Sequence, residues 1–208
     1  LGSAFVRISD GKKSIVFSGD IGRPNDVLMN APTSMKQADY MVLESTYGDR
    51  AHDKTDPKIK LAEAIKRTIS RGGKVIIPVF AVGRAQEILY YIHLLKTQGK
   101  IPDVPVYLNS PMAIDATQIF KKHSGEHRLS HAECEAMGNT ARMVNTVEQS
   151  KALNENRQPM IILAASGMAS GGRVVHHIKA FAPNPHNTIL FVGFQAAGTR
   201  GAAMVDGA

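Results

Sequence analysis

The stretch Lys74-Val75-Ile76-Ile77-Pro78-Val79-Phe80-Ala81-Val82-Gly83-Arg84-Ala85-Gln86-Glu87 decides the fold class. Its first half is apolar almost without interruption, the pattern of a strand buried on both faces rather than one with a solvated side. Gly83 breaks the run, and residues 83–98 then read as a helix. Upstream, Asp56-Pro57 supplies an N-cap followed by proline at the first helical position. Ile59, Leu61, Ala62, Ile65 and Ile69 recur at helical spacing until Gly72-Gly73 stops the pattern. Downstream the alternation continues as strand 104–108, helix 111–121, a short helix 131–137, strand 143–147, helix 148–156, strand 159–165, helix 171–181 and strand 187–194. Strands alternating with helices predict an α/β fold in three layers, a parallel sheet covered on both faces and joined by right-handed crossovers.

The first fifty residues follow a different pattern. Apolar runs at 3–8 and 14–18 flank Asp10-Gly11-Lys12-Lys13, a hairpin turn signal. After a Gly/Pro/Asn-rich stretch from Gly19 to Ser34, the run Tyr40-Met41-Val42-Leu43 reads as a buried strand that ends at an acid, Glu44.

With 208 residues, 43% of them hydrophobic, the chain can bury one substantial core or two smaller ones, and an ordered fold is expected. No run approaches the ~18 apolar residues of a membrane span, and no secretory signal pattern occurs, so no membrane partner is expected. The single cysteine, Cys134, can neither staple the fold nor build a cysteine zinc site, which fits a reducing cytoplasm. Residues 51–100 carry ten Lys/Arg against four Asp/Glu, whereas 101–150 carry four against six. Clustered positive charge attracts polyphosphates and is also what a solvated face with no partner looks like.

Parallel sheets bind ligands at the carboxyl ends of their strands. Those ends read Glu44-Ser45-Thr46, Phe80-Ala81-Val82-Gly83-Arg84, Asn109-Ser110-Pro111, Ser166-Gly167-Met168 and Gly193. Asp20, between Gly19 and Gly22, can ligate a metal or cap its turn. Glu44 reads as a catalytic acid or base, or as an ordinary strand-end charge. The loop Ser166-Gly167-Met168-Ala169-Ser170-Gly171-Gly172-Arg173 joins strand to helix with three glycines, two hydroxyls and a cation, the ingredients of an anion site at a helix start, or of a tight turn alone. It is neither a dinucleotide fingerprint nor a P-loop. Arg84 is a weaker case of the same kind, with Glu87 and Asp115 as alternative ion-pair partners. His123, His127 and His131 would align on a helix, but Ser124-Gly125 interrupts it; His176 and His177 point about 100° apart and cannot chelate one ion together. No complete metal-ligand motif is present.

Leu1-Gly2-Ser3-Ala4, Phe17-Ser18-Gly19-Asp20-Ile21-Gly22-Arg23 and Leu43-Glu44-Ser45-Thr46-Tyr47-Gly48 closely resemble the middle of metallo-β-lactamase/β-CASP nucleases, the RNA-metabolising branch of that family. The resemblance continues through Ile77 to Glu87, Ser110-Pro111-Met112-Ala113, Ser166-Gly167-Met168, Gly171-Gly172-Arg173 and Gly198-Thr199-Arg200-Gly201, and spans essentially the whole chain. It implies a strip of the metallo-β-lactamase αββα domain over residues 1–50 and a β-CASP domain over 51–208. Asp20 would be the aspartate bridging two zinc ions in the whole enzyme, and Glu44 the acid opening the β-CASP insertion and serving catalysis. Ser45, Thr46, Arg84, Ser166, Gly167, Gly171, Gly172 and Arg173 would contact substrate. The family's histidine ligands fall outside this segment, so the resemblance implies truncated ends, no zinc held by these residues alone and no activity in isolation. Single-stranded RNA is the implied partner, hydrolysed in the cytoplasm, and a homodimer is compatible with it. The alternatives are a free-standing RNA- or nucleotide-binding α/β module and, for the alternation alone, a nicotinamide-dependent oxidoreductase without its glycine fingerprint.

Overall fold

The computed structural model describes residues 1–207 and divides them into two compact units. The first holds 1–54 together with 123–130, and the second holds 55–122 and the chain from 131 onward.

In the first unit β1 (Val6–Ser9) and β2 (Ser14–Phe17) form the expected antiparallel hairpin. Asp10 closes its turn, its Oδ1 accepting from the N–H groups of Lys12 and Lys13, both at 2.8 Å. β3 (Tyr40–Val42) adds parallel to β2, giving the order β1-β2-β3. β3 is where the expectation of a buried strand fails: Tyr40, Met41, Val42 and Leu43 are all at least 50% exposed, as are Val6 and Ile8. A three-stranded sheet with no helix in its unit can bury little more than Ser14, Val16 and the loop residue Leu28. Residues 123–130 contribute a bridge between Met29 and His127 and a bond from the Arg128 N–H to the Leu28 carbonyl at 2.7 Å.

The second unit is the parallel α/β body. Its strands are β4 (Val75–Pro78), β5 (Val106–Asn109), β6 (Arg142–Met143), β7 (Ile161–Ala164) and β8 (Thr188–Ile189), all parallel in the order β6-β5-β7-β4-β8. Between them run α1 (Pro57–Ser70), α2 (Arg84–Thr97), α3 (Pro111–Lys122), α4 (His131–Asn139), α5 (Val147–Glu155) and α6 (Arg173–Phe181). Ile76, Ile162 and Ala164 pack with Leu153, Val174, Ile178 and Phe181 into one core cluster. Val75, Ile77, Ile161 and Leu163 point to the other face by the two-residue period of a strand and are equally buried, so both faces are covered. The strand expected over 187–194 pairs only at Thr188 and Ile189. A short helix absent from the sequence reading, α7 (Arg200–Val205), follows, with the Thr199 hydroxyl capping the Ala202 N–H. Among the described residues no helix is long and apolar enough to cross a membrane.

Helices start and stop where local chemistry dictates. Asp56 Oδ1 accepts from the Lys58 N–H at 2.9 Å with Pro57 in the first helical position. Thr146 and Gln149 cap α5 reciprocally. Gly72 and Gly73 end α1 for separate reasons. Gly72 has φ +76 in open space, whereas a Cβ on Gly73 would lie 1.8 Å from the His186 carbonyl oxygen. Gly72→Ala is therefore expected to cost about 1 kcal/mol, the left-handed backbone penalty alone. Gly73→Ala should cost ~3 kcal/mol, because backbone must move away, and urea unfolding of the two variants reads the difference.

Candidate functional site

Two clusters carry the candidate residues, one in each unit. In the first unit the chain leaves β2 through Ser18 and Gly19, whose φ of +55 brings its backbone so near Ala4 that a Cβ would sit 2.4 Å from the Ala4 oxygen. That approach leaves Asp20 exposed just past the strand. Its carboxylate accepts no hydrogen bond from any described residue. A later turn, at residues 26–29, is capped by Asp26, whose Oδ1 accepts from the N–H groups of Leu28 at 2.8 Å and Met29 at 2.7 Å.

Glu44 follows β3, and its backbone N–H donates to Ser18 Oγ at 3.0 Å. Its carboxylate accepts from the Thr46 N–H at 3.0 Å and from the N–H of Ile21, the neighbour of Asp20, at 3.3 Å. Asp20 and Glu44 thus share one rim. The Thr46 N–H above all, then the Thr46 hydroxyl and the Ile21 N–H, hold the Glu44 carboxyl below the usual range. At neutral pH Glu44 is an ionised acceptor, able to orient a donor but poorly suited to give up a proton. Ser45 and Thr46 are exposed beside it, the Ser45 carbonyl accepting from the Gly48 N–H in a tight turn.

In the second unit the glycine loop after β7 takes shape from three unlike glycines. Gly172 has φ +73, and a Cβ there would meet the Ala165 oxygen at 2.4 Å. Gly167 lies under the Phe80 ring, which a Cβ would meet at 2.7 Å, and Gly171 faces open space. The loop is closed by the Ser166 N–H donating to the Gly171 carbonyl at 3.2 Å. It is clamped from outside by Gln195 Nε2 on the Gly167 carbonyl at 3.1 Å and by the Gly201 N–H on the Met168 carbonyl at 2.9 Å. The N–H groups of Gly167, Met168, Gly171 and Gly172 have no acceptor among the described residues.

Arg173 opens α6 and reaches across the sheet edge. Its Nη1 donates to Asn109 Oδ1 and to the Val144 carbonyl, both at 2.9 Å, and its Nη2 to the Asn145 carbonyl at 2.7 Å. None of these acceptors is a carboxylate and Arg173 makes no ion pair among the described residues, although its charge reaches the Glu148 carboxyl and, after that residue's own backbone N–H, helps to hold it below its usual range. Arg84, at the head of α2, is different: its guanidinium is paired with Glu87, which also accepts from the Tyr91 hydroxyl at 3.1 Å. Asp115 takes no part.

Behind Arg173 lies a buried relay that sequence reasoning did not assign. Asn109 Nδ2 donates to Ser150 Oγ at 2.7 Å and lies 2.6 Å from His177 Nε2. His177 Nδ1 is 2.7 Å from Asn154 Oδ1. The network assigns a neutral imidazole, Nδ1–H donating to Asn154 and Nε2 accepting from Asn109. Burial, then the nearby charges of His176 and Arg173, push the His177 pKa down to about 4. His177 is fully buried and His176 exposed, the division their adjacency on a helix requires. Asn109 stands at a strand end that the sequence marks, but its partners lie 41 to 68 residues away and leave no local trace.

The other histidines do not assemble. Residues 123–130 are not helical; His123 Nδ1 pairs with Glu126 at 2.7 Å, and His127 Nδ1 accepts from the Leu129 N–H at 3.2 Å. Among the described residues no three His, Cys, Asp or Glu side chains gather as a ligand set. Asp20 fits one position of a metal centre and no more, so the described residues do not form such a centre themselves.

Comparison with known proteins places this geometry. The family description that matches is the Beta-Casp domain, over residues 85–204. The chain is 40% identical, over 98% of its own length and 48% of the relative's, to ribonuclease TTHA0252 of Thermus thermophilus. It is 35% identical, over its whole length and 50% of the relative's, to an RNase J-like protein of Methanocaldococcus jannaschii. It is 36% identical, over its whole length and 34% of the relative's, to the transcription termination factor FttA of Methanosarcina mazei. The chain thus spans about half or less of the length of these curated relatives.

The buried relay makes stability pH-dependent. A histidine of pKa 6.5 when unfolded and about 4 when folded binds more protons unfolded, so its contribution is complete above pH 6.5 and falls away as the pH drops toward 4. The loss should reach ~3 kcal/mol, read as a falling urea midpoint, and His177→Asn should flatten that slope. An equal slope in both proteins would remove the neutral buried imidazole.

Proposed function

We propose, from the premise that this chain belongs to the Beta-Casp family, that it is the substrate-guiding part of a metal-dependent ribonuclease that hydrolyses RNA phosphodiester bonds in RNA processing or decay. Residues 51–208 would be the β-CASP domain and residues 1–50 a strip of the metallo-β-lactamase domain. The exposed apolar side chains of β1 and β3 support that division, since a strip of a larger sheet leaves such a surface for its remainder. The observation that carries the reading is Arg173 at the head of α6, in no ion pair among the described residues, beside a glycine loop in which the N–H groups of Gly167, Met168, Gly171 and Gly172 lack acceptors. Helix start, free amides and guanidinium together suit a phosphate.

In the whole enzyme two zinc ions would be the cofactor, with Asp20, free of protein partners, as this chain's carboxylate ligand. Glu44, kept ionised, would orient a hydrogen-bond donor at the same rim. Ser45, Thr46, Arg84, Ser166, Gly167, Gly171 and Gly172 would touch the strand with Arg173. The substrate would be single-stranded RNA and the compartment the cytoplasm. Two copies of the whole enzyme would be free to associate, which sedimentation reads directly. The 208 residues alone would bind RNA without cutting it, because Asp20 has no companion ligands among the described residues.

Arg173→Ala should weaken RNA binding by ~1–3 kcal/mol and reduce the salt slope by about one unit. Arg84→Ala should do less, because Glu87 already neutralises that charge. Affinity at two salt concentrations, beside melting temperature, tests this; unchanged affinity and slope in a folded Arg173→Ala protein would end the phosphate assignment. Adding Zn²⁺ or Mn²⁺ to the chain with labelled RNA should give binding without cleavage, and cleavage would show that the ligand set is complete.

A further inference from the structure

Phe80 is the residue at the carboxyl edge of the sheet that none of this chemistry uses. It follows β4, yet the residue is 45% exposed, while Val79 beside it is fully buried. The ring is nevertheless held in place. One part of it lies against Gly167, so close that a Cβ on that residue would come within 2.7 Å and 2.9 Å of two ring carbons and 3.1 Å of the Phe80 backbone nitrogen. Gly167 is itself fixed by Gln195 Nε2 on its carbonyl. The Phe80 backbone is fixed as well: its carbonyl accepts from the Ala85 N–H at 3.1 Å, and the preceding Val79 N–H donates to the Ala164 carbonyl at 3.0 Å. No aromatic or cationic partner within the described residues takes the exposed part of the ring.

The position of this ring gives it a ligand class. β4 neighbours β7, and β7 neighbours β5, at about 4.8 Å per strand, so Phe80 stands on one side of the glycine loop and the Arg173–Asn109 contact on the other, roughly 10 Å apart. A cation and free amides on one side of the loop and an aromatic surface on the other match the two chemistries of a single-stranded nucleic acid, a charged backbone and flat bases. A short run of nucleotides spans that distance.

We infer that Phe80 is a nucleobase-stacking platform, which takes the base of a nucleotide whose backbone lies at the glycine loop. The inference rests on the reading of that loop and Arg173 as a phosphate site, and adds a base subsite to it. Stacking on a single ring is tolerant of sequence, since every base has a π face, and favours the larger purines.

The chain contains no tryptophan, so Phe80→Trp places its single indole at the platform. With a single-stranded oligoribonucleotide the indole emission should be quenched, more by oligoadenylate than by oligouridylate, and little by an abasic oligomer of equal length and charge. Phe80→Leu keeps apolar bulk without the ring, and should bind the base-bearing oligomers roughly 5- to 100-fold more weakly while leaving abasic affinity unchanged. Phe80→Tyr should restore binding to near the parent value, which a purely structural role of the ring in a folded protein would not require. If the parent chain binds base-bearing and abasic oligomers alike, or Phe80→Leu changes neither, or the indole is quenched equally by both, the platform is overturned. If those results accompany a clear loss of binding in Arg173→Ala, the phosphate reading stands and the platform alone falls. If the parent chain binds no oligomer at all, both fall.

Discussion

One amide group sets the chemistry at the carboxyl edge of the parallel sheet. Asn109 offers its oxygen to Arg173 and its nitrogen to Ser150 and His177, and the arrangement works in one orientation only. Were the amide reversed, a nitrogen would face the guanidinium and an oxygen would face a histidine nitrogen that carries no proton. The neutral His177, held by Asn154, forbids the reversal and so fixes where the cation sits. β5, β6, α5 and α6 all contribute to this arrangement, so the position of one charge is determined by packing across a large part of the unit. Hydrogen bonds buried in this way are costly to leave unmade, and that cost keeps the geometry single-valued.

The parts of the fold legible in the sequence were those with a local period. The apolar run from Val75 to Val79, the capped start of α1 at Asp56-Pro57 and the hairpin at Asp10-Gly11 all carry their structure in a few neighbouring residues. β3 was misread because four apolar residues in a row look the same whether or not anything covers them; burial belongs to the partner surface, and the sequence of one strand does not contain it. α7 was missed since six residues including glycine give too short a window for periodicity. In the candidate site the strand ends were legible, because topology alone places them on one edge. The difference between Arg84, which is ion-paired, and Arg173, which is not among the described residues, depends on long-range contacts and was out of reach.

Three acids of the first unit illustrate a similar separation of roles. Asp26 is the one of the three that closes a turn, while Asp20 keeps its carboxylate free and Glu44 spends its own on backbone amides. Three carboxylates in one stretch of chain therefore do three different things, and what separates them is which N–H groups each reaches: two consecutive ones for Asp26, two from separate segments for Glu44, and none among the described residues for Asp20. A free carboxylate at a strand end, set between glycines that let other groups come close, is the least stabilising of the three for the fold and the most available to a ligand.

The segment 123–130 leaves the second unit after α3, contributes its contacts to the first, and returns to begin α4. The chain therefore passes between the units three times, and neither unit corresponds to one uninterrupted stretch of gene. Such an architecture resists being shuffled as a cassette: a single recombination breakpoint near residue 54 would separate Leu28 and Met29 from the residues that hydrogen-bond to them, and would leave eight residues in the other piece with nothing to fold against. In such a chain insertion and deletion within loops are tolerated paths of change, and exchange of whole units is not.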